Sequence, residues 1–190
     1  MASMRERRSR FTRSAAVAVV ICGLGILTGA CGEDKTPAEV TQEELTKGLA
    51  AHRAGDLEGA QAAYEAALEI SPQNPYALFN LGVIAQSRGD AAEAERYYRQ
   101  AIAANPELAQ ARFNLATLLA RGGKKEEARD LYLEVIEIEP EYAAAHLNLG
   151  FAYRDLGDEK KAERHFKKAV ELDASLKSRI PATPEPAAEK

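Results

Sequence analysis

Residues 75–108, PYALFNLGVIAQSRGDAAEAERYYRQAIAANPEL, decide the fold, because residues 109–142, AQARFNLATLLARGGKKEEARDLYLEVIEIEPEY, repeat their pattern with a period of 34. Two further copies, at 41–74 and 143–176, extend the pattern to four units in one register. Five series of positions recur once per unit: Ala60, Ala94, Ala128 and Ala162; Gly55, Gly89, Gly123 and Gly157; Tyr64, Tyr98, Tyr132 and Phe166; Gly48, Gly82, Ala116 and Gly150; and Ala67, Ala101, Val135 and Ala169. Such a period is typical of an array of stacked supersecondary units.

The second series, of four glycines, predicts where each unit divides into two helices, A and B. A glycine such as Gly89 can adopt the left-handed conformation that ends helix A. In three units an aspartate follows as the predicted N-cap of helix B: Asp56, Asp90 and Asp158. Glu93 completes a predicted capping box with Asp90, and a second capping box, Thr41-Gln42-Glu43-Glu44, predicts that the array starts at Thr41.

These series resemble the tetratricopeptide repeat family, whose unit is a helix-turn-helix with small residues where its two helices cross. The resemblance covers residues 41–176 and implies an all-α fold, a right-handed α-solenoid of four tandem helix-turn-helix units with eight helices. The aromatic series is expected to fill the wedge between units. Polar residues at the array ends, such as Glu44 and Lys47, suit the exposed ends of a solenoid. No capping helix is predicted after the last unit, and residues 177–190 are predicted to form a Pro-rich disordered tail.

In this family the A helices line a concave face, and the resemblance places two apolar rows there. The first row is Leu45, Phe79, Phe113 and Leu147, and the second row, one turn later, is Leu49, Val83, Thr117 and Phe151. An exposed apolar stripe suggests a groove for an extended or helical peptide. The other interpretation is that these side chains pad the inner core of a tightly wound array.

Three asparagines at the same spacing, Asn80, Asn114 and Asn148, stand beside the first row, with Thr46 in the first unit. A carboxamide both donates and accepts, so this ladder can hold a peptide backbone without reading its sequence. Groove asparagines do this in some members of the family. The other interpretation is that they make hydrogen bonds within the repeats.

Charged residues on this face do not match the carboxylate clamp by which some family members grip the acidic ends of chaperones. That clamp needs lysines and an arginine where this chain has Leu45, Leu49, Gln110 and Asn114. A chaperone-tail adaptor is therefore disfavoured. The arginines predicted at the groove rim either favour an acidic ligand or complement the helix dipoles: Arg53, Arg121 and Arg154.

Residues 1–30 have the pattern of a signal peptide, with an arginine-rich n-region at 1–14 and an uncharged apolar h-region at 15–30. The run ends in Leu27-Thr28-Gly29-Ala30-Cys31, which resembles the lipobox of bacterial lipoproteins. That resemblance implies cleavage before Cys31 and a lipid on its thiol, with residues 31–40 as the lipidated cysteine and a polar linker. The alternative is an uncleaved signal anchor. Both place the domain outside the cytoplasm, anchored to the bacterial cell membrane, since the arginines stay inside.

The remaining chemistry disfavours several functions. The formal charge of the chain is −4, and the +4 of residues 1–30 leaves −8 for the rest, which repels nucleic acid. No residues have the spacing of a metal, phosphate or catalytic site, so we predict no enzyme, metal or cofactor. The predicted function is a membrane-anchored scaffold that binds a protein or peptide in the cell envelope. The alternatives are a self-assembling module that stacks through its end repeats and a ligand-sensing domain.

Overall fold

The computed structural model describes residues 35–181, which form eight α-helices and a final 3₁₀ helix, with no strand in this part of the chain. The helices are α1 (Pro37–Arg53), α2 (Leu57–Ile70), α3 (Pro75–Ser87), α4 (Ala91–Ala104), α5 (Ala109–Arg121), α6 (Lys125–Ile138), α7 (Ala143–Asp155) and α8 (Glu159–Leu172), and the 3₁₀ helix is Ala174–Arg179. They pack as consecutive pairs, and each pair packs on the next. The predicted all-α solenoid of four helix-turn-helix units is confirmed. The predicted signal peptide, Cys31 and residues 182–190 lie outside the described residues.

The turn between helix A and helix B has the predicted chemistry in three units. Gly89 has a φ of 84°, and its counterparts in the other units lie at 80° to 84°, a region that costs other residues strain. The carboxylates of Asp56, Asp90 and Asp158 each accept a hydrogen bond from a backbone N–H of the first turn of helix B. The third unit has Lys124 at this position and no side-chain cap.

The predicted capping box of Asp90 and Glu93 is only half formed. Asp90 Oδ1 accepts from the Glu93 N–H at 3.0 Å, but the Asp90 N–H donates to the Ala85 carbonyl. The Glu93 carboxylate pairs with Arg96 at 3.3 Å instead. The predicted reciprocal hydrogen bond from the Asp90 N–H to the Glu93 carboxylate does not form, because that N–H is already bonded within the turn.

The array starts earlier than predicted, because α1 begins at Pro37. Its capping box is made by Thr36 and Glu39, with Thr36 accepting from the Glu39 N–H at 3.2 Å and Glu39 accepting from the Thr36 N–H at 2.7 Å. Thr41 is inside the helix, where its hydroxyl donates to the Pro37 carbonyl at 2.8 Å. Residues 37–40, predicted as linker, are the first turn of α1, and the overlooked signal is a proline at the first helical position behind a threonine cap.

Small and aromatic residues meet at the crossing of the two helices within each unit. A Cβ added to Gly82 would lie 2.6 Å from the Tyr98 ring, and one added to Gly150 would lie 2.5 Å from the Phe166 ring. The ring therefore occupies the space that a side chain on helix A would need. The aromatic series therefore packs against helix A of its own unit, whereas the sequence predicted that it fills the wedge between units.

The C-terminal end is capped by the 3₁₀ helix, which was not predicted. Leu176 is buried within it, and Ile180 packs against the main core cluster. Asp173 caps this helix by accepting from the Ser175 N–H at 2.9 Å. The predicted start of the disordered tail at residue 177 is wrong, since residues 177–180 are folded onto the last unit. Two apolar residues four positions apart, Leu176 and Ile180, are the signal that identifies this segment.

Candidate functional site

Exposed apolar side chains concentrate at the N-terminal half of the array. Within residues 35–181, three large hydrophobic side chains are exposed: Leu49 (40%), Ile70 (37%) and Tyr76 (54%). All three border two adjoining cavities that share Gln42 and Leu45. Exposed apolar residues that cluster in a concave surface mark an interaction site more strongly than scattered ones do.

The larger of the two cavities, which we call the neutral groove, has a volume of about 440 Å³ and crosses the first three A helices. It is lined by Gln42, Leu45, Leu49, Tyr76, Phe79, Asn80, Leu108 and Gln110. The adjoining cavity, of about 380 Å³, is lined by Pro37, Ala38, Thr41, Gln42, Leu45, Ile70, Ser71 and Asn74. Neither lining contains a charged side chain, although 28% of the residues in the chain are charged.

The end of the array has the opposite character. A cavity of about 840 Å³ lies between α8 and the segment that follows it, and seven of its eleven lining residues are charged. Lysines and glutamates alternate there, as in Lys160, Glu163, Lys167 and Glu171. A charged partner segment is better matched to this end, and an uncharged one to the neutral groove.

The first apolar row is only partly available to a partner. Phe79 lines the neutral groove and lies 6.0 Å from the Tyr98 ring, while Phe113 is half-buried and stacks on Tyr142 at 5.0 Å. Leu147 has no exposed surface. The prediction that Leu147 contacts a peptide is therefore wrong. It belongs to the buried core cluster, so the core-padding interpretation applies in unit four.

The second row contributes one residue, Leu49, to the neutral groove. Val83 is half-buried and packs against the core cluster. The Thr117 hydroxyl bonds to Tyr132 at 3.0 Å. Phe151 meets Phe166 edge to face at 5.0 Å. Neither Val83 nor Phe151 lines the neutral groove, although both are candidate contact residues of the predicted site.

The three asparagines make hydrogen bonds inside the protein. Asn80 Nδ2 donates to the Tyr76 carbonyl of its own helix at 2.8 Å. Asn114 and Asn148 point their Nδ2 atoms at the hydroxyls of Tyr98 (3.5 Å) and Tyr132 (3.3 Å) in the preceding unit. These longer contacts are weak hydrogen bonds. Only Asn80 lines the neutral groove.

The tyrosine hydroxyls that face these asparagines stay protonated. Burial raises the pKa of Tyr98 to about 12. Burial likewise raises the pKa of Tyr132, against the smaller opposing effect of its bonds to Thr117 and Asn148. Each hydroxyl therefore acts as a neutral donor and acceptor, and the link between units carries no charge.

Three lining residues escaped the sequence analysis, Gln42, Tyr76 and Leu108, and a fourth, Gln110, was named there only as a position of the absent carboxylate clamp. Gln42, Tyr76 and Gln110 are spaced 34 residues apart, three positions before Leu45, Phe79 and Phe113. Residues three apart share a helix face, so the 34-residue spacing of this row could have identified it as part of the groove. Arg154, predicted at the groove rim, instead lies over the Phe151 ring at 5.0 Å beside the charged end cavity.

Two general features of residues 35–181 complete the description of the site. None of their helices is both long enough and apolar enough to cross a bilayer. No three His, Cys, Asp or Glu side chains in this part of the chain are grouped to hold a metal ion.

Comparison with known families and structures gives a consistent result. Models described as tetratricopeptide repeat match residues 80–142 and 143–176, and one described as TPR repeat matches residues 48–89, so together they span 48–176. No curated protein matches the sequence.

Several solved structures resemble the fold. A crystal structure of MamA aligns with a TM-score of 0.65 and 24% identity, over 74% of this chain and 81% of MamA, a likeness of fold alone. PilF of Pseudomonas aeruginosa aligns with a TM-score of 0.67 and 27% identity, over 74% of this chain and 64% of that one. A tetratricopeptide repeat protein of Parabacteroides merdae gives 0.63 and 28%, over 71% of this chain and 54% of that one.

Proposed function

The chain belongs to the tetratricopeptide repeat family, and from this premise we propose that it is a non-catalytic, membrane-anchored scaffold of the bacterial cell envelope. Its partner is a protein that presents an uncharged peptide segment to the neutral groove. The observation that carries the proposal is that all three exposed large hydrophobic side chains of residues 35–181 border two adjoining cavities without a charge.

The chemistry of the lining defines the peptide. A charged side chain on the partner would lose its hydration in the groove and find no opposite charge there, which is costly. Apolar anchors are favoured because Leu49 and Tyr76 offer exposed apolar surface. The amides of Gln42, Asn80 and Gln110 border the same surface, and they can bond to a peptide backbone without reading its sequence. Asn80 Nδ2 uses one of its two N–H groups within α3, and its Oδ1 is the acceptor left to receive a peptide N–H.

Asn114 and Asn148 have a supporting role in this proposal. Their contacts with the tyrosines of the preceding unit join neighbouring repeats. An alanine at Asn148 is therefore expected to loosen the junction of units three and four, whereas an alanine at Asn80 is expected to weaken peptide binding directly.

A charge placed in the groove tests the proposal. Tyr76 is 54% exposed, so Tyr76→Lys is expected to fold normally and to bind uncharged peptides at least tenfold more weakly, because an unpaired ammonium would be desolvated. Gln100→Lys is the matched control, since it adds the same charge at an exposed position of α4 outside the groove.

The measurement is a selection of displayed twelve-residue peptides on residues 35–190, followed by fluorescence anisotropy of the enriched peptides. Enrichment of uncharged sequences whose binding is lost in Tyr76→Lys and kept in Gln100→Lys supports the groove. Enrichment of acidic or basic sequences, or equal binding by both variants, would contradict it.

The membrane anchor is tested separately on the full chain. If Cys31 carries a lipid, the Cys31→Ser variant is expected to incorporate no lipid label and to accumulate in cells as the uncleaved precursor. An uncleaved signal anchor predicts that the wild type keeps residues 1–30 and takes no lipid label. Intact-mass spectra of the membrane fraction distinguish the two forms.

Self-assembly through the end units is the alternative function. Both ends carry charges: Lys47 pairs with Glu43 and Glu44 on α1, and the cavity at α8 is mostly charged. Stacking would have to desolvate these groups. Light scattering that grows with concentration for residues 35–190 would favour this alternative, and a constant monomer mass would exclude it.

A further inference from the structure

Two histidines of the last unit make a contact that the proposed binding function does not use. His146 lies in α7 and His165 in α8, and their Nδ1 atoms are 3.1 Å apart. The ring centroids are 5.4 Å apart and the ring planes differ by 25°. This separation is about the largest that the nitrogen–nitrogen distance allows, namely that distance plus two ring radii, so the Nδ1 atoms point at each other along the line between the rings. The contact is an in-line hydrogen bond and not a face-to-face stack.

The second nitrogen of His146 fixes where the protons are. His146 Nε2 lies 3.0 Å from the Pro140 carbonyl oxygen, which can only accept, so Nε2 carries a proton. In the neutral ring, His146 Nδ1 is then an acceptor and receives the N–H of His165 Nδ1. One proton therefore occupies the gap between the rings. Protons on both Nδ1 atoms would remove the hydrogen bond and oppose two N–H groups.

The surroundings of the pair disfavour a second positive charge. His146 is 6% exposed, and the Tyr153 ring lies against His165 at 5.5 Å with its plane inclined by 18°. Lys161 of α8 stands over that tyrosine ring at 5.0 Å, and Arg129 of α6 faces the same tyrosine. Burial lowers the pKa of His165, and His146 and Arg164 lower it further. The cations near the pair have carboxylate partners of their own, since Lys161 pairs with Asp158 at 3.0 Å and Arg129 with Asp130 at 2.7 Å, and Asp158 also acts on Arg164. None of these carboxylates is hydrogen-bonded to either ring.

The repeat places uncharged residues at the two corresponding positions of unit two. His146 and His165 occupy the positions that Leu78 and Tyr97 hold two periods earlier in unit two. Leu78 and Tyr97 belong to one apolar cluster there. The fold therefore accepts a leucine and a tyrosine at these two positions, and the ionisable pair is specific to unit four.

We propose that His146 and His165 form a proton-sensitive latch, which holds α7 to α8 while at most one ring is charged and loosens the last unit when acid protonates both Nδ1 atoms. A base whose pKa is lower in the folded state than in the unfolded chain stabilises the fold fully above the unfolded pKa of about 6.5, and this stability is lost as the pH falls. Each unit of difference changes the ratio of closed to open forms about tenfold in acid. The response is expected to centre on α7, α8 and the 3₁₀ helix, none of which lines the neutral groove.

Hydrogen exchange on the full chain in detergent, at pH 7.5 and pH 5.5 after correction for intrinsic rates, tests the latch. In the wild type, amides of α7 and α8 are expected to lose protection at pH 5.5 relative to those of α3 and α4. The double variant His146→Leu/His165→Tyr, which copies unit two, is expected to show no such difference. An equal change in both proteins, or unchanged protection of α7 and α8 in the wild type, would overturn the proposal.

Should the double variant not fold, the titration of the wild-type histidine rings by NMR decides the question. The latch predicts that the pKa of the His165 ring lies below the unfolded value of about 6.5. Two independent rings titrating together near that value would overturn it.

Discussion

Phe79 and Leu147 occupy the same position in units two and four, yet one lines the neutral groove and the other is completely buried. The difference follows from their neighbours. Helices α3 and α7 each pack between the B helix of their own unit and that of the preceding unit, but α7 also packs on α5, the preceding A helix. The repeat register determines where a side chain points, and the packing around each helix determines whether a partner can reach it.

The largest expected effect on the free energy of unfolding comes from truncating one apolar side chain at each end of the concave face. Leu147→Ala would leave a cavity in the core and is expected to lower the free energy of unfolding by about 2–5 kcal/mol. Leu49→Ala removes a side chain that is 40% exposed and is expected to cost about 1 kcal/mol or less. Urea denaturation measures both. Equal losses would show that the two ends of the concave face are not different.

Overpacking a crossing is expected to have the next largest effect. Ala128 has no exposed surface, so Ala128→Leu should lower the free energy of unfolding by about 1–3 kcal/mol. Ala92 is exposed at the start of α4, and Ala92→Leu is the control, with an expected change within about 0.5 kcal/mol. If Ala128→Leu left the free energy of unfolding unchanged, the helices of unit three would cross with more space between them than the burial of Ala128 implies.

The helix caps give the smallest effect and separate unit three from the others. Asp56→Ala removes an N-cap and is expected to cost about 1 kcal/mol. Lys124→Asp supplies the cap that unit three lacks and is expected to gain a similar amount, reduced by the loss of the exposed Lys124–Glu95 pair at 3.3 Å. Thermal unfolding curves record both shifts. If Lys124→Asp lowers Tm as much as Asp56→Ala does, the cap is not limiting in unit three.

The backbone of this protein was predictable from its sequence because the repeat states its turns explicitly. Gly89 and Asp90, with their counterparts, mark the end of one helix and the start of the next. The ends of the array were less predictable, since Thr36 and Ile180 lie outside the four units of the repeat. Local signals, a threonine before a proline and two apolar residues four apart, were available for both.

The candidate site was predictable in part. Phe79 and Asn80 followed from the register, but the burial of Leu147 and the internal bonds of Asn114 and Asn148 depend on contacts between units. A period alone does not contain those contacts. The pairing of His146 with His165 was missed for the same reason, because no spacing rule connects position 4 of helix A with position 23 of the unit.

The central claim is that partners reach the concave face at unit two and not at unit four. A photo-crosslinking phenylalanine placed at Tyr76, and in a second protein at Phe151, tests it in intact cells, since both positions already hold aromatic side chains on A helices. We predict a protein crosslink from position 76 that Gln100→Lys retains, and none from position 151. A crosslink from position 151, with none from position 76, would contradict the account.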